Sequence, residues 1–147
     1  MNIILFDSND YVSKDLVRLS GRRHKHLVTV NRVRKDDCLI CGEINGRMGK
    51  GIVTRITDHS CELRVVLDSE PPEPLPLNLI LALPRPKMAR RVIQAVTSLG
   101  VKQIYLINSW RVEKSFWLSD LLTLDRLERH LKLGLAQAKD TVLPHLH

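Results

Sequence analysis

Nowhere in these 147 residues does an apolar run approach the roughly 18 positions that a membrane-crossing helix needs. The opening MNIILFDSND has no basic segment before its apolar stretch, and that stretch is too short for a secretory signal. A cytoplasmic protein that spans no membrane is therefore expected. Cysteine is scarce. Cys38, Cys41 and Cys61 are an odd number with no disulfide-framework spacing. Cys38 and Cys41 form a C-x-x-C, but they lie in a predicted strand, Asp37–Ile44, where residues three apart point to opposite faces. Such a pair cannot share one ion and there is no second pair, so reduced strand cysteines and no metal are expected. No Ser/His/Asp set and no glycine-rich phosphate loop is discernible, and there is no internal repeat. These absences remove triad hydrolysis, P-loop chemistry and solenoids.

What is missing locally is acid. From Arg18 to Lys35 there are seven basic residues (Arg18, Arg22, Arg23, Lys25, Arg32, Arg34, Lys35) and no carboxylate. From Pro74 to Val112 there are six (Arg85, Lys87, Arg90, Arg91, Lys102, Arg111), again with none. The net charge of +7 and pI near 9.7 favour a polyanionic partner, nucleic acid or an anionic membrane surface. A merely solvated face would interleave its signs, so one-sided tracts point to a phosphate-binding surface. The membrane reading lacks an amphipathic helix that combines basic residues with bulky Trp/Phe anchors.

With 44% hydrophobic and 27% charged residues the composition is that of a globular protein. It breaks at Asp68–Pro76, DSEPPEPLP, where four prolines in six residues suit neither a helix nor a central strand. Before the break the signals are short strands: Asn2–Phe6, Tyr11–Leu19, Asp37–Ile44, Gly49–Ile56 and Cys61–Leu67. Asn45-Gly46 marks a hairpin, and Asp58-His59 separates the last two strands. Gly21–Val30 reads as a short helix with Leu27, Val28 and Val30 facing inward. Such spacing favours a small barrel.

After the break the period changes. Leu77–Leu83 reads as a strand buried on both faces. From Lys87 to Leu99 an apolar stripe of Met88, Val92, Ala95, Val96 and Leu99 predicts a helix, which Gly100 closes. Gln103–Ile107 is a second buried strand, completing a βαβ unit. A further helix spans about Leu124–Lys139, with Leu124, Leu127, Leu131, Leu135 and Ala138 on one face and Asp120 or Thr123 as cap. Asp140–His147 shows no recognisable element. Two strands do not make a self-sufficient sheet, so an incomplete α/β domain with open strand edges is expected.

The order of basic barrel, proline-rich joint and LALPRPKMARRVIQAVTSLGVKQIYLINSWRVEKS resembles the ribosomal RNA small subunit methyltransferase E family. The segments Leu81–Lys87, Thr97–Ile107 and RRHKHLVTVNRVRKDD, residues 22–37, carry the likeness most strongly. The resemblance implies an α+β protein: a PUA-like RNA-binding β-barrel over 1–70, a linker over 71–76, and over 77–147 the first, incomplete half of an α/β SPOUT domain, whose family form is a trefoil knot. It also implies S-adenosylmethionine as methyl donor, N3 of a uridine in 16S rRNA as target, the small ribosomal subunit as partner and a homodimer formed through the knotted half. The family's glycine-rich cofactor loop and last knot helix have no counterpart here. No cofactor-binding residue is therefore expected in this chain, and the 147 residues alone are expected to be inactive.

By resemblance and by charge, Arg22, Arg23, Lys25, Arg32 and Arg34 are the expected RNA contacts of the barrel. Lys87 and Arg111 are expected near the catalytic cleft, because both follow the C-terminal ends of parallel strands. Plainer readings stand beside these. Arg32 and Arg34 flank Val33 as outward strand residues would, and Lys87, Arg90 and Arg91 fit the solvated face of a helix. His24 and His26 read as surface or core residues, not ligands, and His145 and His147 carry no metal assignment. Trp110 and Trp117 suit base stacking but, as two of six aromatics, read first as packing anchors. Glu113 and Asp120 are too isolated to name as a base, so the catalytic residue is unknown. A non-enzymatic RNA-binding module is the alternative function.

Overall fold

The computed structural model describes residues 2–147 and contains two compact units, Ile3–Pro71 and Pro72–His147, the second also taking in Asn2. The first unit is one six-stranded sheet built from β1 (Ile4–Phe6), β2 (Tyr11–Ser13), β3 (Leu16–Ser20), β4 (Cys38–Glu43), β5 (Met48–Ile56) and β6 (Ser60–Ser69). The spatial order is β1-β4-β5-β6-β3-β2. The β1–β4 pair is parallel and the others are antiparallel.

Alternation places Val17 and Leu19 of β3, Val53 of β5, and Cys61, Leu63 and Val65 of β6 on one face, over a core shared with Ile4, Phe6, Leu27, Val33 and Cys41. Each large side chain buried there contributes about 1.5–3 kcal/mol of apolar transfer free energy. The β4–β5 hairpin turns through Asn45, left-handed at φ 58°, with the Gly46 N–H donating to Glu43 O at 2.9 Å. At the first bulge of β5, a Cβ on Gly49 would stand 2.0 Å from Val66 O, a distance only glycine permits.

Three expectations change in this unit. The sheet is not a closed barrel, because β1 and β2 form its two edges and do not pair. Both are three residues long, and the 3-10 turn Ser8–Asp10 between them carries a capping box from Asp7 and Asp10. The edges meet through side chains instead: Phe6 and Tyr11 pack edge to face at 5.5 Å, and Tyr11 Oη donates to Glu43 Oε2 at 3.4 Å. The predicted strand Tyr11–Leu19 is two strands, since Lys14 and Asp15 turn the chain. The predicted helix is α1 (Gly21–His26), followed by a wider π turn over Leu27–Asn31. Leu27 is buried there but Val28 and Val30 face solvent. The widened turn lets Leu27 and Val33 both reach the core, and β-branched Val28, Thr29 and Val30 resist a tighter α-helix.

The second unit runs β7 (Asn78–Ala82), α2 (Pro86–Ser98), β8 (Gln103–Ile107), α3 (Lys114–Trp117), α4 (Leu124–Ala138) and β9 (His145–Leu146). Its sheet is β7-β8-β9, all parallel. The segment after Pro144 thus supplies a third strand, and β8 is central instead of open-edged. Pro86 opens α2 where a missing N–H costs nothing, and Gly100 follows its end at φ 87°. Lys139, left-handed at φ 56°, ends α4.

Leu106 packs beside Ala89, and Leu146 beside Ile93, so the helices cover one face of this sheet. The other face is open: Ile80 is 67% exposed, and Tyr105 and Ile107 also face out. β7 and β8 are therefore not buried on both sides. The buried stripe of α2 is Ala89, Ile93 and Thr97, whereas Met88, Ala95 and Leu99 are exposed. Close contact with α4 selects these residues. A Cβ on Gly134 would lie 2.6 Å from Thr97 Cβ and 2.7 Å from Gln94 O, so α4 meets α2 at a glycine.

Candidate nucleic-acid interface

Charge in the first unit gathers on α1 and the turn after it. Left-handed Gly21 (φ 58°) turns the chain out of β3, and α1 then presents Arg22 and Lys25 to solvent. The next residues inward anchor the helix. Arg23 donates from both Nη atoms to the Asp10 carboxylate at 2.5 and 2.6 Å, with a longer bond to Leu5 O at 3.4 Å. His24 is buried, and the Nε2 atoms of His24 and His26 have no hydrogen-bond partner among the described residues. Beyond the π turn, Arg32, Arg34 and Lys35 are exposed. Arg32 is left-handed at φ 52°, where a Cβ is disfavoured. The Arg34 backbone N–H donates to Asp37 Oδ2 at 2.7 Å.

Acids that sequence distance hides reach into both tracts. Arg18 pairs with Glu62 at 2.9 Å across the β3–β6 ladder, and Arg23 pairs with Asp10. In the second unit Lys102 is 7% exposed, bonded at 2.5 Å to both Asp140 Oδ2 and Val142 O. It is an internal strut, not a surface cation. Of the thirteen tract cations, three are thus claimed by carboxylates, and the other ten have no acidic partner among the described residues.

Lys87 lies in the first turn of α2, just past the C-terminal end of β7, and Arg111 lies in the turn after β8. Because the two strands are parallel neighbours, both cations stand at the same end of the sheet. Trp110, next to Arg111, is 92% exposed and therefore anchors no packing. The aromatic face beside a guanidinium suits stacking on an unpaired base. Arg126 and Arg129 of α4 were not singled out from the sequence, because D-R-L-E-R interleaves acids with bases.

The thiols are not part of this surface chemistry. Cys38 is exposed and Cys41 buried on opposite faces of β4. Burial, with a smaller push from Cys38, raises the Cys41 thiol to about 12, and burial with the Glu62 charge raises Cys61 to about 11. Both stay protonated at neutral pH. Among the described residues no group of three His, Cys, Asp or Glu is placed to hold a metal ion.

Residues 71–147, just over half of the sequence, match the model of the RNA methyltransferase domain family. The chain belongs to that family. Ribosomal RNA small subunit methyltransferase E of Treponema pallidum (strain Nichols) is 33% identical over 147 residues, covering 98% of this chain and 55% of its own length. Ribosomal RNA small subunit methyltransferase E 1 of Borreliella burgdorferi is 25% identical over 146 residues, covering 99% of this chain and 60% of its own. Among solved structures, ribosomal RNA small subunit methyltransferase E from Neisseria gonorrhoeae, bound to S-adenosyl methionine, shares the fold. Its TM-score is 0.73 at 20% identity, over 99% of this chain and 60% of that one. This chain therefore spans between half and two thirds of the length of the curated relatives it matches.

Proposed function

We propose that this chain is the RNA-gripping portion of a methyltransferase that transfers a methyl group from S-adenosylmethionine to N3 of a uridine in 16S rRNA. The observation that carries the reading is the set of exposed, acid-free cations at α1, the π turn and the C-terminal end of the β7–β8 pair, in a member of an RNA methyltransferase family. In this reading the six-stranded sheet takes the place of the PUA-like barrel, and β7-α2-β8-β9 is the start of the SPOUT fold.

Uridine N3 lies on the Watson–Crick edge, so the enzyme takes an unpaired base or extrudes one at a cost of a few kcal/mol. Lys and Arg contacts to phosphates supply sequence-independent affinity that offsets this cost. Arg22, Lys25, Arg32 and Arg34 make such contacts from the first unit, and Arg23 holds α1 in place through Asp10. Lys87 and Arg111 make them at the strand ends, and Trp110 is positioned to stack on a base.

Two clefts of the second unit do not suit S-adenosylmethionine. One is lined by Arg90, Arg126 and Arg129, which repel a sulfonium and outnumber its single carboxylate, Asp120. A shallower one carries Arg91 and no carboxylate to bind the cofactor's cation or ribose. We infer that methyl transfer and homodimer formation rest on the further length that the relatives have, and that the 147 residues bind RNA without turning it over. The reaction is cytoplasmic, where ribosomal subunits are. No helix among the described residues is long and apolar enough to cross a membrane.

Filter binding of residues 1–147 to a 16S rRNA fragment in dilute buffer tests the reading. Binding that weakens as salt rises is expected, and no retention even at the lowest salt would sink it.

A further inference from the structure

A cleft of about 570 Å³ opens between the beginning of α2 and the beginning of α4, within the roughly 300–1,000 Å³ range of pockets that hold small ligands. Arg90 projects from α2, and Arg126, Arg129 and His130 share one face of α4 because they are three and four residues apart. Pro86 and Leu121 give it an apolar wall. His130 is oriented by a 2.9 Å hydrogen bond between its Nδ1 and Gln94 Nε2. The one acid lining the cleft is Asp120, which reaches Arg126 at 3.3 Å with both side chains largely in solvent, so the pairing is weak. Arg90 and Arg129 have no acidic partner among the described residues.

Three arginines lining one open cleft repel one another, and an anion held there relieves that repulsion. Guanidinium forks match phosphate oxygens bidentately, and the apolar wall suits a ribose or the edge of a base. We propose that this cleft binds the phosphate of a nucleotide, and in the RNA complex one backbone phosphate together with its sugar. The proposal rests on the RNA-binding reading above but adds a contact site on α2 and α4. Of its arginines only Arg90 belongs to an acid-free tract, and Arg126 and Arg129 lie outside both tracts. The apolar wall and the volume favour a nucleotide over free inorganic phosphate.

The test is a nitrogen–proton NMR titration of the 147-residue protein with uridine 5′-monophosphate and, separately, with inorganic phosphate. The side-chain Nε–H signals of Arg90, Arg126 and Arg129 are expected to move with the nucleotide, and to need a several-fold higher concentration of inorganic phosphate. Arg90→Gln with Arg129→Gln should abolish the shifts. Arg90→Lys with Arg129→Lys, which keeps the charge but loses the forks, should keep the fold and weaken binding. In rRNA binding the glutamine pair should lower the slope of log K against log salt by about 0.7, the value for one phosphate contact on a single strand. Nucleotide that leaves the three arginine signals unmoved, or rRNA binding with an unchanged slope in the glutamine pair, overturns the proposal. Shifts with the nucleotide in a protein that binds no rRNA would support the cleft and remove the RNA reading instead.

Discussion

Arg32 occupies a left-handed position that closes the π turn. A side chain there costs about 1–2 kcal/mol relative to right-handed backbone, and glycine ordinarily takes this role. Fold stability alone therefore favours glycine at position 32, and the arginine stays against a local penalty. Strain of this kind collects where function holds a residue in place. Arg32→Gly is expected to raise thermal stability by about 0.5–1 kcal/mol, because glycine's greater freedom in the unfolded chain cancels part of the relief. It should also weaken rRNA binding. Thermal unfolding and filter binding on the same preparation check the pair of effects. A variant more stable and equally tight in binding would show that Arg32 contacts no phosphate. The strain was not legible in the sequence, where Arg32, Val33 and Arg34 read as an outward-inward-outward strand. What the pattern did carry was the burial of Val33, since both conformations send it to the core.

At the scale of elements, the clearest lesson lies in the α2–α4 contact. The stripe Met88, Val92, Ala95, Val96 and Leu99 is the more hydrophobic face of α2 by residue type, and the sequence alone points it to the core. Packing selected Ala89, Ile93 and Thr97 instead, because α4 comes close enough at Gly134 to require small atoms opposite. A contact between residues more than thirty positions apart leaves no mark in the period of either helix. β9 is a similar case: two residues become a strand because β8 offers an unpaired edge, which the local sequence does not disclose. The elements whose signal is wholly local, such as the Asn45-Gly46 hairpin and the Gly100 stop, were legible. Gly134→Ala tests the contact. The added methyl meets the Gln94 carbonyl, which is backbone and cannot swing aside. Overpacking costs about 1–3 kcal/mol, more than the gain in helix propensity of at most about 1 kcal/mol. A net loss of stability is expected in urea unfolding, and a variant as stable as the parent would mean the helices separate without cost.

Over the whole molecule, positive charge is partitioned between structure and partner, and the partition is open to measurement. The tracts hold thirteen cations, of which Arg18, Arg23 and Lys102 are neutralised by acids brought from elsewhere in the fold. Sequence reading had no access to Glu62, Asp10 and Asp140 as partners, since each lies at least thirteen residues away along the chain. Both tracts therefore read as wholly acid-free, with Arg23 among the expected RNA contacts. If every remaining tract cation met a phosphate, binding to single-stranded RNA would have a salt slope near −7, at about 0.7 per contact. The ten are divided between two units, and a strand that reaches only some of them gives a shallower slope. Arg22→Gln and Lys25→Gln should each flatten it by about 0.7. Arg18→Gln should leave it unchanged, because its charge already faces Glu62 and its removal frees a carboxylate for water. The three variants carry the same net charge, so a uniform loss of slope in all of them would show that RNA responds to total charge and not to this surface. A loss confined to Arg22 and Lys25 would place the strand along α1.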